Sequence, residues 1–401
     1  MQTDTQAPLF RDPLLRTPFH ARTRAASTVD AFVPWAGYTT VNVYTTVEHE
    51  YFAIRNNCSV YDLTPMVKYD ITGKDAERFL NRMVTRDVAA IKPMRVAYSI
   101  WCNDEGHVID DGTIFRLGPD RFRLCTGERQ LDWLQASAIG FDISIAEVTA
   151  GIAALSLQGP SACFVLKRLG CAGIETLRPF AIREVTAYGI ELMISRTGFT
   201  GDLGYELWMA PRDAETLWDR LMAAGRDAGI RPVGSLALDM ARIEAGFVMP
   251  NIEFVSAEAT LRVGRARTPF ELSLDWLVSF DKPHFTGKRA LLRHQKDKTA
   301  QRLVGLDVAG NKPAADAWLY ADKHCRAEIG SVSSALWSPT CKRNIALGFV
   351  PQSHAAIGST VWAEIYLCRE TRWERRVVPA RVVERPFFTP DRRKRTPAGD
   401  R

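Results

Sequence analysis

The sequence predicts an α+β fold with antiparallel sheets, followed by a small barrel-like all-β unit at the C-terminus. Between residues 60 and 292, hairpin-like strand pairs alternate with amphipathic helices, without the regular spacing of a parallel βαβ sheet. After residue 300, short strands are separated by turns, which is typical of a small all-β domain. The 401 residues are too many for one hydrophobic core and indicate two or three domains.

The first 150 residues show periodic patterns after an irregular start. Prolines at positions 8, 13, 18 and 34 predict that the first forty residues are irregular. Residues 67–72 alternate apolar and polar side chains until Gly73 and predict a strand. Residues 75–83 place four apolar side chains on one face and predict a helix. Further patterns predict strands over 97–102 and 112–117 and a helix over 130–139.

The remaining residues continue this alternation and then change character. Predicted strands cover 152–157, 187–195 and 205–209, and predicted helices cover 161–169, 213–224 and 236–246, with Gly246 ending the last helix. A polar joint over 294–300 leads to predicted strands over 303–308, 327–331, 345–350, 361–365 and 376–383.

The composition is that of a soluble enzyme. No apolar run of about 18 residues predicts a membrane span, and the N-terminus does not resemble a secretory signal. The eight cysteines form no CxxC pair, so we expect reduced thiols, no metal site and a cytoplasmic location. Part of the net charge of +6 lies in residues 391–401, a predicted solvated tail. No aromatic residues interleave with it, so we expect no nucleic-acid binding, although a basic chain suits an anionic ligand.

Residues 98–111 form a first candidate site. A strand enters a tight turn, and the chain returns with the adjacent carboxylates of Asp110 and Asp111. Successive strand residues point to opposite faces, so only one of the two can face a given cleft. Neighbouring apolar side chains would raise the pKa of such a carboxyl and suit it to proton handling. On residue types alone, a plain hairpin with aspartate at a strand end is the more frequent explanation.

Residues 195–206 form a second candidate site. Glycines at positions 198, 201 and 204 permit close backbone approach, but the spacing is neither the dinucleotide fingerprint nor a Walker loop. Glu206 at the start of the following strand could accept two parallel N–H bonds from a heterocycle. An exposed glutamate on a glycine-rich hairpin explains the same residues. In the helix over 236–246, Asp239 and Arg242 are explained by an intrahelical ion pair.

Taken in order, several segments resemble the glycine-cleavage aminomethyltransferase (T-protein) superfamily of tetrahydrofolate-dependent enzymes. The resemblance runs nearly end to end and is carried by residues 17–20, 36–37, 59–63, 103–111, 157–160, 195–201, 204–206, 242–246, 269–271, 285–291 and 385–387. It implies a three-domain cloverleaf with tetrahydrofolate in a central channel. The implied folate-binding domain comprises residues 1–64 and 148–244, and the implied domain with the catalytic aspartate comprises residues 65–147 and 245–292. The implied β domain covers residues 293–390, and residues 391–401 form the tail.

The resemblance also implies the site residues. Asp111 matches the catalytic aspartate that faces the reactive nitrogen of folate, and Glu206 matches the carboxylate that grips the pterin. The other implied cofactor-binding residues are Tyr98, Arg242 and Phe199. We assign the substrate pocket to His107 and Trp276.

Departures from the family pattern bear on the reaction. His107 replaces a turn glycine, Phe199 a tyrosine and Leu238 an arginine, and residues 64–66 and 250–253 also differ. These changes resemble the demethylase branch of the superfamily. We therefore predict a monomer or homodimer that moves a methyl group from O, S or N of a small substrate to N5 of tetrahydrofolate. One alternative is the aminomethyltransferase itself, which makes 5,10-methylenetetrahydrofolate and ammonia and needs a lipoyl carrier protein. A second is a folate-binding maintenance protein without turnover.

Overall fold

The computed structural model describes residues 14–261, 263–297 and 301–395. The fold combines helices with mainly antiparallel sheets and a C-terminal closed barrel, which confirms the predicted α+β class. Two short strand pairs are parallel, residues 15–16 with 38–39 and residues 230–232 with 58–60. Within the described ranges, no helix has both the length and the apolar character needed to span a bilayer. The helices are α1 His20–Ala26, α2 Val47–Asn56, α3 Ala76–Met83, α4 Leu131–Ser137, α5 Ala162–Arg168, α6 Ala214–Ala224, α7 Ser235–Glu244 and α8 Lys288–Asp297.

The N-terminal segment is regular, so the prediction that the first forty residues are irregular is wrong for the described part. It forms α1 and a three-stranded sheet in the order β1-β3-β2, made of β1 Leu15–Arg16, β2 Ala31–Trp35 and β3 Tyr38–Val43. Pro18 lies just before α1, and Pro34 lies in β2, an edge strand, where a missing N–H is tolerated. Pro8 and Pro13 lie outside the described residues.

A six-stranded sheet has the order β11-β12-β13-β10-β4-β14. Its strands are β4 Cys58–Asp62, β10 Ala153–Gln158, β11 Ile182–Ala187, β12 Ile190–Ser195, β13 Gly204–Met209 and β14 Ile230–Pro232. Apolar side chains of α5 and α6 pack with this sheet in one buried cluster. The predicted strand over 187–195 is wrong at its start, because Tyr188 and Gly189 form a turn with positive φ angles. The domain bounds stay a prediction, which the pairing of β4 with β10 supports.

A five-stranded sheet has the order β6-β7-β8-β5-β9. Its strands are β5 Val67–Thr72, β6 Arg95–Cys102, β7 Val108–Arg116, β8 Arg121–Thr126 and β9 Ser144–Glu147. The apolar face of α3 packs against one side of this sheet, as the helical pattern predicts. Strand β7 begins earlier than predicted, so Asp110 and Asp111 lie inside a strand and their positions are fixed by ladder hydrogen bonds.

The C-terminal residues form a closed six-stranded barrel in the order β15-β18-β17-β16-β19-β20, which confirms the predicted all-β unit. Its strands are β15 Gln301–Val308, β16 Trp318–Tyr320, β17 Glu328–Ser338, β18 Arg343–Pro351, β19 Thr360–Arg369 and β20 Arg372–Val383. The sequence does not predict β16, because three residues are too few to show a period. The predicted joint over 294–300 is helical up to Asp297, where α8 ends; residues 298–300 lie outside the described chain.

The segment after the barrel is docked through Arg392, so the prediction of a solvated tail is wrong at this residue, whereas Asp391, Lys394 and Arg395 are exposed. Arg392 binds both carboxylate oxygens of Asp202 at 2.6 and 2.8 Å. Asp202 is buried in the glycine-rich loop, where Arg55 is its other cationic partner at 3.4 Å. A buried carboxylate needs such partners, and the tail provides one. Residues 396–401 lie outside the described chain.

Candidate active site

Asp111 is held by a tyrosine on the neighbouring strand. In the β6–β7 ladder, Asp111 faces Ile100, so Tyr98 is its diagonal neighbour on the same face. The Tyr98 hydroxyl donates a hydrogen bond of 2.6 Å to Asp111 Oδ2. Burial raises the pKa of Asp111 to about 6, although the bond from Tyr98 opposes this rise. The side chain can therefore exchange a proton near neutral pH.

Asp110 points to the other side of β7 and is buried. Its Oδ1 accepts the backbone N–H of Asp111, and its Oδ2 accepts Nε2 of Gln130, both at 2.8 Å. Burial and then the neighbouring charge of Asp111 raise the pKa of Asp110 well above its ordinary value. The two carboxyls thus have different surroundings, and Asp110 helps to fix the backbone that carries Asp111.

Glu206 lies on β13 opposite Ser195 of β12. Its Oε2 accepts hydrogen bonds from Thr197 Oγ1 at 2.5 Å and Ser195 Oγ at 3.4 Å. Among the described residues, no donor bonds to its Oε1. Only 8% of the residue is exposed, and burial raises its pKa to about 7. A largely buried carboxylate with one oxygen unused is suited to a ligand that offers N–H donors.

The faces that carry these two carboxylates lie against each other. Phe115 shares its face of β7 with Asp111, and Trp208 shares its face of β13 with Glu206, because both pairs are separated by an even number of residues. The rings of Phe115 and Trp208 meet edge to face with centroids 5.2 Å apart. Asp111 and Glu206 therefore project from two sheets toward the space between them. The residue patterns do not predict this pairing, which follows in the sequence only from the family resemblance.

The glycine-rich loop is closed by Gln158, which the sequence motifs do not identify as a site residue. Its Nε2 donates to the backbone oxygens of Thr197 and Tyr205, and its Oε1 accepts from Thr200. A Cβ added at Gly198 or Gly204 would lie 2.1 or 1.9 Å from Gln158 Oε1. Side chains at these positions would displace Gln158, which explains the glycines. The sequence signal for this role of Gln158 is its place in the Gln158-Gly-Pro segment, which matches the family pattern.

Phe199 and Arg242 have different surroundings. Phe199 stacks on Phe247 with centroids 5.5 Å apart, which gives the loop an apolar wall. The Arg242 guanidinium is buried, and its three nitrogens donate to Asp239, Glu253 and Ser334 at 2.7, 2.8 and 2.8 Å. These bonds join α7 to β17. The geometry thus favours a positioning role for Arg242 over direct contact with a ligand.

The two residues assigned to the substrate pocket are not brought together. The Trp276 ring lies 6.3 Å from the Tyr98 ring and is 64% exposed, so it flanks the aspartate side of the site. His107 lies at the β6–β7 turn, with its ring 5.9 Å from that of His294. No described contact joins His107 to Asp111, Tyr98 or Trp276, so its place in the pocket stays a prediction.

Two family models match consecutive parts of the chain. The GCVT N-terminal domain matches residues 19–282, and the glycine cleavage T-protein C-terminal barrel domain matches residues 301–389. The chain belongs to the glycine-cleavage T-protein family. Its cofactor is tetrahydrofolate, and it is a tetrahydrofolate-dependent one-carbon transferase.

Several similar proteins are named aminomethyltransferase. A protein named aminomethyltransferase from Halothermothrix orenii is 31% identical over 349 residues, which are 86% of this chain and 92% of that protein. Another aminomethyltransferase, from Caldanaerobacter subterraneus, is 32% identical over 82% of this chain and 86% of its own length. The crystal structure of the glycine cleavage aminomethyltransferase T from Bartonella henselae matches with a TM-score of 0.81 at 26% identity, covering 94% of this chain and 98% of that one. These names favour the alternative reaction, and they do not support the predicted demethylase.

Proposed function

We propose that this T-protein family member is an aminomethyltransferase, which converts a carried aminomethyl group and tetrahydrofolate to 5,10-methylenetetrahydrofolate and ammonia. The observation that carries the proposal is its 31% identity to a protein of that name over 86% of the chain. In the net reaction, two carbon–nitrogen bonds form, and the bonds from the carbon to sulfur and to the amine break. Two protons pass from the folate nitrogens to the released thiol and ammonia.

Glu206 and Phe199 are the proposed pterin-binding residues. Glu206 Oε1 accepts no bond from the described residues, so the carboxylate can take parallel N–H donors from the pterin edge. The stacked rings of Phe199 and Phe247 provide an apolar surface beside it. The residues present therefore fit a reduced pterin. Tetrahydrofolate supplies the two nitrogens that accept the one-carbon unit.

Asp111 is the proposed catalytic residue. With a pKa of about 6, its carboxyl is mostly ionised at neutral pH and can accept a proton from the reacting nitrogen. Its negative charge also stabilises positive charge that develops at the transferred carbon. Tyr98 fixes the position of Oδ2 through its hydrogen bond. Arg242 acts on the site indirectly, by joining α7 to the barrel.

The proposed donor is the aminomethyl group on a lipoyl carrier protein. A second candidate donor is a small methylated substrate, as in a demethylase. Two residues favour this second candidate. Pro65 stands where the family has a histidine and offers no group for proton transfer. Thr64 is buried, and its backbone N–H donates a hydrogen bond to Asp62. Leu238 packs in an apolar cluster with Met66, so this region also lacks the arginine of the family pattern.

The experiment is a product analysis with two sets of donors. Purified protein and tetrahydrofolate are mixed either with a lipoyl carrier protein charged with the aminomethyl group or with free methoxybenzoate, dimethylsulfoniopropionate or sarcosine. Chromatography separates 5-methyl from 5,10-methylene products. The proposal predicts the 5,10-methylene product with the carrier only, at a rate that Asp111→Asn lowers by about 10²-fold or more. A 5-methyl product from a free donor would establish the demethylase instead, and no product with any donor would contradict both.

A further inference from the structure

Arg55, near the end of α2, joins the glycine-rich loop to α7. Its side chain is 2% exposed. Nε and Nη2 bind Glu244 Oε2 at 2.8 and 2.7 Å, and Nη2 also donates to the backbone oxygen of Ala241 at 3.1 Å. Nη1 donates to the backbone oxygen of Thr200 at 2.9 Å and to Asp202 Oδ2 at 3.4 Å. All five N–H groups of the guanidinium therefore have acceptors, on α7 and on the loop.

The bond from Arg55 fixes the loop directly after Phe199. The Thr200 carbonyl is held from the side of α2 by Arg55, and its hydroxyl donates to Gln158 Oε1 at 2.9 Å from the side of β10. Phe199, the preceding residue, stacks its ring on Phe247. The backbone beside the proposed pterin-binding ring is thus held by a side chain on each side.

A second contact holds the loop against the same end of α7. Gly201 has a φ angle of +71°, and a Cβ added there would lie 2.5 Å from the Cβ of Ala245. Ala245 follows Glu244, the last residue of α7 and the carboxylate that binds Arg55. The loop therefore packs directly on the helix end to which Arg55 joins it.

The C-terminal segment covers Arg55 and keeps water from it. Arg55 Cζ lies 4.6 Å from the centroid of the Phe388 ring, and the backbone N–H of Phe388 donates to the Glu244 carbonyl oxygen at 3.0 Å. Arg392 Nη2 donates to the backbone oxygen of Arg55 at 3.1 Å. Hydrogen bonds of a charged donor are stronger where water is excluded, so Arg55 holds the Thr200 carbonyl firmly.

From these observations we infer that Arg55 is a positioning residue for tetrahydrofolate. It acts through the Thr200 carbonyl, which fixes the backbone that carries Phe199, and it does not contact the ligand itself. A loop that is already ordered binds more tightly, because its conformational entropy is not lost on binding. The inference rests on the proposed pterin-binding role of Phe199 and adds the residue that keeps this ring in place.

The test measures the affinity for tetrahydrofolate by anaerobic titration calorimetry of wild type, Arg55→Lys and Glu50→Gln. Lysine keeps the charge, but its single nitrogen cannot reach both α7 and the loop. Glu50 is the matched control, since it is a buried charged residue of α2 that accepts the backbone N–H groups of Tyr44, Thr45 and Gly234. The three proteins are compared at equal folded fraction.

Arg55→Lys is expected to raise the dissociation constant of tetrahydrofolate about tenfold, since the loop must then be ordered on binding. The kcat at saturating tetrahydrofolate is expected to stay within about threefold of wild type, because Asp111 lies on another sheet. An unchanged dissociation constant, or equal increases in Arg55→Lys and Glu50→Gln, would overturn the inference. A lower kcat with an unchanged KM would also overturn it.

A double-mutant cycle tests whether Arg55 acts through Phe199. Once Phe199→Ala has removed the ring, adding Arg55→Lys is expected to weaken binding by less than about threefold, because the two changes affect one contact. A full tenfold further loss would overturn the inference. Wild-type affinity in Phe199→Ala would remove the ring from the pterin site and the inference with it.

A second variant serves if Arg55→Lys does not fold. Gly201→Ala moves the loop off α7 without altering Arg55, and it is expected to weaken tetrahydrofolate binding in the same way. Wild-type affinity in folded Gly201→Ala would overturn the inference. The calorimetric measurements need no turnover, so binding that depends on Arg55 in a protein that makes no folate product would count against the proposed reaction alone.

Discussion

Two carboxyl groups of similar chemistry have different surroundings within one strand. Asp111 accepts the Tyr98 hydroxyl on the face that turns toward the six-stranded sheet, whereas Asp110 accepts two N–H groups on the opposite face. Because both carboxyls are poorly hydrated, the protonated form is favoured in each, and the charge of Asp111 further opposes ionisation of Asp110. Because side chains alternate along β7, the proposed catalytic carboxyl of Asp111 and the carboxyl of Asp110, which binds the backbone of its own strand, lie on opposite faces.

Glu206→Gln is predicted to weaken tetrahydrofolate binding by ~1–3 kcal/mol, because a charged acceptor becomes neutral and presents one mismatched donor. Titration calorimetry measures the change. Glu191→Gln is the matched control, since Glu191 is an exposed residue of β12 bonded only to Thr186 among the described residues. Equal affinities for Glu206→Gln and the control would remove Glu206 from the pterin site.

The same residue predicts a pH dependence of stability. Its pKa rises from 4.5 in the unfolded chain to about 7 in the fold, so the folded state holds a proton that the unfolded state releases within this range. The stabilisation from that proton is complete below pH 4.5 and is lost as the pH rises through 7, on the order of 1–3 kcal/mol. Urea unfolding at several pH values should show this loss in wild type and not in Glu206→Gln. An identical pH dependence in both proteins would contradict the assignment.

At the scale of elements, β7 positions Asp111 through close contact with β8. Gly112 follows Asp111, and a Cβ at Gly112 would lie 2.4 Å from the carbonyl oxygen of Cys125. Backbone cannot move aside as a side-chain tip can, so any side chain here must separate the two strands. The glycine therefore lets β7 lie close to β8, and this close approach sets the position of Asp111.

Gly112→Ala is predicted to lower the free energy of unfolding by about 1–3 kcal/mol and to reduce turnover, because the strand shift moves Asp111. The control is Gly151→Ala, since a Cβ at Gly151 would meet nothing within 4 Å. Urea unfolding and turnover are measured for both variants. If Gly112→Ala had the stability and activity of Gly151→Ala, the contact between β7 and β8 would not be as close as described.

Some elements could be predicted from the sequence, and others could not, for physical reasons. The period-2 pattern of β5 and the apolar face of α3 are local, so they are visible without tertiary information. Asp111 and Glu206 were found as candidates because strand ends and glycine loops have local signatures. Their facing arrangement and the docking of Arg392 on Asp202 depend on segments distant in sequence, which leave no periodic trace.

At the scale of the whole molecule, the segment after the barrel returns to the glycine-rich loop. Arg392 pairs with buried Asp202, and Arg393 lies over the Phe247 ring at 5.2 Å. Asp202 also contacts Arg55, which binds Glu244 of α7. The C-terminal segment thus helps to hold the wall of the site in place.

Arg392→Ala is predicted to lower the free energy of unfolding by about 1–3 kcal/mol, because it removes one of the two cations bound to a buried carboxylate. Arg395→Ala is the control, since its side chain pairs only with the exposed Asp391 among the described residues. Denaturant unfolding compares the two variants. Equal stabilities would indicate that Asp202 does not depend on the C-terminal segment.

Asp111 is the proposed catalytic carboxylate for one-carbon transfer to tetrahydrofolate. The most direct measurement is the initial rate of 5,10-methylenetetrahydrofolate formation from the aminomethyl-charged carrier protein, for Asp111→Asn and Asp110→Asn at equal folded fraction. Asp111→Asn is predicted to bind tetrahydrofolate but to lose activity by about 10²-fold or more. Asp110→Asn is predicted to lose stability more than turnover. Loss of turnover in Asp110→Asn with full activity in Asp111→Asn, or full activity in both, would contradict the proposed catalytic role of Asp111.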